Sequence, residues 1–180
     1  MGRSVVCVTD DTTASRGLLR DAFTRLIEHA DAVTDGLVPA VADFRPAGAD
    51  NSIAWLIWHS ARVQDAQVAD VAGVEQAWTA QGWVDRFELD LPRDSTGYAH
   101  TPEQAARVHA PAELLADYYR AVHELTVAYL DGVTPAELER IVDRRWDPPV
   151  TVAVRLVSVI DDCAQHLGTA AYLRGVADRA

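Results

Sequence analysis

Two histidines and an aspartate are set into apolar helical patterns, at positions that face a core. Asp162 and His166 stand four residues apart in TVAVRLVSVIDDCAQHLGTAAYLR, and a four-residue step stacks two side chains on one helix face. Val152, Leu156, Val159, Ile160, Cys163, Leu167, Ala170 and Leu173 recur there at helical spacing, so the pair falls within an apolar stripe. His59 lies far upstream in a similar stripe with Trp55, Leu56, Val63 and Ala66. Carboxylates and imidazoles in a core are costly unless they are paired or coordinated. Neutral imidazole and carboxylate suit Zn, Ni, Fe or Mn. Three ligands from two helices of a bundle leave a coordination position open, which marks a catalytic rather than a structural centre. That position takes water, or a thiol whose proton the metal helps to remove. The same residues also fit a metal-free arrangement, with Asp162 and His166 as an i,i+4 ion pair and His59 as a hydrogen-bonded core histidine. Asp161 faces the core instead if the helix is rotated by one residue.

The elements that carry these residues are helical. Thr13 to Leu37 reads as a first helix, with Leu18, Leu19, Ala22, Phe23, Leu26, Ile27, Ala30, Val33 and Leu37 in period and Asp10 to Thr13 offering cap oxygens. Pro39 stops it, and Phe44 to Gly48 is a turn-rich connection. A second helix starts near Asp50 or Asn51 and runs to about Gly73, a C-terminal stop. A third spans Pro111 to Asp131, with proline in the first turn and Gly132 at the end. Thr134 and Glu137 form a capping-box pattern for a short helix, after which Arg144 to Pro149 redirects the chain into the last long helix. Residues 74–110 show no sustained period, although Gln76 to Trp78 and Pro102 to Val108 fit short helices. The expected fold is all-α: a four-helix bundle with a long irregular excursion between its second and third helices. Residues 1–180 form one domain in this reading, with 1–12 loosely ordered.

Composition narrows the function classes. A net charge of −11 opposes nucleic acid and anionic membrane as partners. No apolar run reaches the length of a membrane helix, and the start resembles no signal peptide; the expected location is the cytoplasm. Two cysteines, Cys7 and Cys163, make no disulfide framework. Cys163 lies about 100° around the helix from Asp162, so it packs rather than ligates. Basic residues are all arginine, a usage that fits a high-GC genome. Trp83 and Arg86 in GWVDRF offer an aromatic face beside a guanidinium for a small-molecule sugar or carboxylate, and His100 is a further candidate to line a pocket. Phosphate loops, serine-hydrolase elbows and CxxC pairs are absent.

In NSIAWLIWHSARVQD, TGYAHTPEQ and WDPPVTVAVRLVSVIDDCAQHLGTAAYLRG the chain resembles the DinB-like metal-binding four-helix bundles, within them the actinobacterial mycothiol-dependent transferases and isomerases. The resemblance runs from Leu18 to Gly175. It implies a metal held by one histidine on the second helix and two ligands four apart on the fourth, matching His59, Asp162 and His166. Aspartate stands where the family commonly has histidine or glutamate. The implied activity is a thiol S-transfer in detoxification or stress metabolism, with mycothiol as co-substrate, an electrophile as acceptor, and zinc, or else nickel, as the metal. A metal-dependent isomerase or hydrolase on the same site, and a non-enzymatic ligand-binding bundle, are the alternatives. Members of the family often pair as homodimers.

Overall fold

The computed structural model describes residues 11–46 and 51–179. Four long helices, α1 (Asp11–Thr34), α3 (Ile53–Ala72), α7 (Ala112–Gly132) and α9 (Val152–Ala177), form the bundle. α1 packs on α7 and α9, and α3 packs on the same two, so α1 and α3 face each other diagonally. Phe23, Ile57, Tyr118, Leu156 and Leu167, drawn from all four, are fully buried. No helix among the described residues is long and apolar enough to cross a membrane.

Several boundaries differ from the sequence reading. α1 already includes Asp11 and Thr12, and it ends three residues before Leu37; Asp10 lies outside the described residues. Pro39 does more than stop a helix: it opens a short α2 (Pro39–Ala42), because proline also suits a first helical turn. The cap of α3 is Ser52 rather than Asp50 or Asn51, and its side chain accepts the Trp55 N–H at 3.1 Å. Gly73 closes α3 in the left-handed conformation (φ 68°), as its position predicts. Pro111 serves as the cap residue of α7 rather than its first helical residue.

The excursion contains α4 (Ala77–Ala80), α5 (Trp83–Phe87) and α6 (Pro102–Ala105). Its role explains an oddity of α3, which is buried on nearly all faces although a bundle helix ordinarily keeps one face wet. The excursion lies on the outer side of α3 and is fastened there by polar side chains. Asp65, fully buried, accepts the Ala77 and Trp78 N–H groups at 2.9 and 2.8 Å, thereby capping α4. It also accepts the Tyr118 hydroxyl at 2.8 Å. Arg62, equally buried, donates to the Ser95 carbonyl at 3.0 Å and Gln76 Oε1 at 3.0 Å, and lies over the Trp78 ring.

After α7, α8 (Pro135–Glu139) is capped by Thr134, whose hydroxyl accepts the Glu137 N–H. The reciprocal half of the box is absent there, since the Glu137 carboxylate accepts from Tyr129 and Arg140. A small antiparallel hairpin, β1 (Ile141–Asp143) with β2 (Val150–Thr151), then turns the chain into α9. This hairpin is the one addition to an otherwise all-α fold among the described residues. Thr151 caps α9.

Candidate metal centre

α3 and α9 run antiparallel: Arg155 meets Gln67, Cys163 meets Ser60, and the ring of His166 meets that of His59. This register places His59 against the Asp162 and His166 pair. One ligand atom from each of the three lies within 4.8 Å of the others. His59 Nε2 is 3.9 Å from Asp162 Oδ2, and the two imidazole centroids are 4.6 Å apart. His59 is buried, while Asp162 and His166 are partly exposed, so the cluster opens on the α9 side.

Backbone carbonyls fix the tautomers of both histidines. His59 Nδ1 is 2.6 Å from the Thr96 carbonyl and His166 Nδ1 is 2.7 Å from the Asp162 carbonyl. A carbonyl only accepts, so each Nδ1 carries a proton, and in neutral His59 the lone pair is left on Nε2. Burial lowers the pKa of His59, the largest of the influences on it, which keeps that imidazole neutral. Asp162 Oδ2 is buried and has no hydrogen-bond partner. Asp162 Oδ2 lies 3.9 Å from His59 Nε2 and 3.5 Å from His166 Nδ1; a lone-pair nitrogen facing a carboxylate oxygen that has no hydrogen bond costs free energy unless a cation lies between them. The donor set, two imidazoles and one carboxylate, fits a divalent metal of the zinc or nickel type. Asp161 is exposed and accepts from Gln165 at 2.8 Å, away from the cluster.

Around His59 the packing is close. Trp55 stacks on its ring at 4.5 Å between centroids. The Trp55 indole N–H donates to His100 Nδ1 at 3.2 Å, and His100 Nε2 lies 2.7 Å from Ser95 Oγ. An indole only donates, so the His100 proton is on Nε2 and is given to Ser95. The contact resembles a serine–histidine pair, yet this tautomer cannot take a proton from the serine; it orients Trp55 instead. Trp83 is buried against Tyr118, and the exposed Arg86 guanidinium lies 3.8 Å over the Trp83 ring. The two are thus brought together, with the chain's own arginine covering the aromatic face that a ligand would need, and neither belongs to the three-residue cluster. Cys163 is fully buried, gives its thiol to the Ser60 carbonyl at 3.4 Å, and has its pKa pushed far up by burial. Arg62, Thr96 and Gly97 lie within the quoted motifs, but neither they nor Ser95 carry a site role that the sequence shows. The signals for them are slight: a glycine shortly after the turn-forming Asp94 and Ser95, and an arginine three positions after His59 in an apolar stripe.

Comparison with known proteins finds a family and solved structures similar to the chain. Residues 18–179 match the family described as Mycothiol-S-transferase. A crystal structure of a conserved protein from Enterococcus faecalis is similar at 39% identity and a TM-score of 0.82, covering 88% of this chain and 94% of the other. No curated protein matches.

Proposed function

The chain belongs to the mycothiol-S-transferase family, a DinB-like family, and from that premise we propose that it is a divalent-metal-dependent S-transferase joining a low-molecular-weight thiol, mycothiol or a close analogue, to a small electrophile. The observation that carries the metal dependence is the orphaned Asp162 oxygen facing the lone-pair side of His59. His59, Asp162 and His166 would hold the cation. When bound, it supplies Lewis acidity that lowers the pKa of a thiol at the open position into the neutral range.

The remaining work falls to the chain itself. The Thr96 and Asp162 carbonyls keep both imidazoles in the ligating tautomer. Trp55 covers one face of His59 and excludes water from it. The partly exposed edge formed by Asp162 and His166 is the side from which small molecules reach the cluster. There the thiolate sulfur attacks the electrophilic carbon, a C–S bond forms, the leaving group departs with the electron pair, and the thiol proton passes to solvent. Cys163, buried and held protonated, is not the nucleophile.

The test uses untagged protein. Elemental mass spectrometry of wild type beside His59→Ala is expected to give near-stoichiometric zinc or nickel in the first and little in the second. Conjugation of mycothiol to chlorodinitrobenzene is expected to vanish in His59→Ala and His166→Ala. Full conjugating activity in His166→Ala overturns the proposal. Turnover of an electrophile without added thiol points instead to a hydrolase or isomerase on the same residues.

A further inference from the structure

None of the three candidate ligands lies in the motif TGYAHTPEQ. In the fold, Ser95–His100 passes over the N-terminal half of α3 and bears on His59 in three ways, two direct and one through Trp55. The Thr96 carbonyl takes the Nδ1 proton. His100, joined to Ser95, holds the indole that stacks on the imidazole. Gly97, buried and at φ 94°, lies so near the ring that a Cβ there would stand 2.6 Å from His59 Nδ1 and 3.1 Å from Trp55 Cζ2. Real Cβ atoms do not approach to 2.6 Å, so any side chain at 97 displaces the imidazole or the segment. The anchor of the segment is Arg62, one helical turn after His59. Its fully buried guanidinium donates to the Ser95 carbonyl, the residue before the one that fixes His59.

We propose that Ser95–His100 is a clamp that positions His59 as a ligand, with Gly97 and Arg62 as its positioning residues: α3 carries both the ligand and, three residues on, the side chain that holds the clamp closed upon it. This inference rests on the metal reading given above. It extends that reading by identifying what sets the nitrogen that His59 presents, since a group that fixes the tautomer and orientation of a ligating imidazole tunes metal affinity by about 10–100-fold.

The experiment compares Gly97→Ala with Gly82→Ala. Gly82 also has a positive φ, 71°, but a Cβ there meets nothing within 4 Å. Both variants therefore carry the backbone strain of a left-handed alanine, and only Gly97→Ala strikes the imidazole. Two readouts are taken: zinc affinity by chelator competition, and the protonated ring nitrogen of His59 by nitrogen NMR of the metal-free protein. Wild type and Gly82→Ala are expected to hold the Nδ1–H tautomer and bind zinc alike. Gly97→Ala is expected to lose the tautomer and about 10–100-fold in affinity. Wild-type affinity and tautomer in Gly97→Ala overturn the clamp. So does an Nε2–H tautomer in wild type, a measurement that needs no variant to fold. Zinc bound by wild type no more tightly than by His59→Ala overturns the metal reading; the tautomer comparison then still decides whether the segment positions the ring.

Discussion

Replacing Asp65 by asparagine tests whether the excursion is fastened to α3 as described. The substitution keeps the shape and removes the charge. Asp65 accepts three hydrogen bonds, from the Ala77 and Trp78 N–H groups and the Tyr118 hydroxyl, with Arg62 Nη1 3.6 Å away. An amide has one acceptor oxygen and one NH2 group, so whichever way it is turned a donor meets a donor. If the NH2 replaces Oδ1, the Ala77 N–H is orphaned; if it replaces Oδ2, Trp78 and Tyr118 both lose their acceptor. One orphaned buried donor costs about 1–3 kcal/mol, and a buried guanidinium deprived of its counter-charge costs about 3–5 kcal/mol. The two overlap, which gives an expected loss of about 4 kcal/mol, a large part of the stability of an ordinary domain. Urea denaturation followed by both circular dichroism and tryptophan fluorescence measures it. A cycle with Arg62→Met sharpens the test. The double variant is expected to be more stable than the summed losses by about 2 kcal/mol, because each single change strands the partner of the other. Asp65→Asn within 1 kcal/mol of wild type (a bound set by the orphaned donor alone), or strictly additive losses, would refute the reasoning.

Two further outcomes follow from titratable groups outside the cluster. His123 has a buried Nδ1 with no hydrogen-bond partner, and burial, seconded by Arg20, lowers its pKa. A depressed folded pKa favours the neutral form, so its contribution to stability is present above the unfolded value of about 6.5 and is lost as pH falls from there through the folded value; His123→Gln is expected to flatten the decline of Tm below pH ~6.5, and a profile parallel to wild type contradicts this. In a Cys7→Ser background Cys163 is the one remaining thiol. Iodoacetamide at mildly alkaline pH is expected to leave it unmodified in native protein and to alkylate it in urea; rapid native labelling shows that the thiol is reachable.

Much of the frame is written in side chains and so is readable. The stripe from Val152 to Leu173 predicts a core helix, and the four-residue step from Asp162 to His166 predicts that the two share a face; α9 is that helix. The pairing of His59 with them is legible only as two stripes that need partners. What the sequence conceals is carried by the main chain. The Thr96 carbonyl orients His59, and a carbonyl has no letter of its own. Gly97 matters for the space it leaves, which depends on a φ that the sequence does not state. Trp83 and Arg86 suggest a ligand platform by adjacency, while in the fold the guanidinium folds back over the indole. The excursion reads as irregular because its helices are too short for a repeating apolar face: Asp65 ties down α4, Thr101 caps α6, Arg62 holds the Ser95 stretch between α5 and α6, and α5 is seated by Trp83, Val84 and Phe87.

The antiparallel contact of α3 with α9 joins residues about a hundred positions apart, as Ser60 and Cys163 are. Closing so long a loop is an entropic cost met late in folding, after local helices exist. A centre built across that contact cannot nucleate the chain in the way that closely spaced ligands organise a zinc finger. Anything bound there acts as a bolt on a finished frame: it leaves the folding rate nearly alone and slows unfolding, so that the lifetime of the native state, more than its formation, follows the supply of what binds.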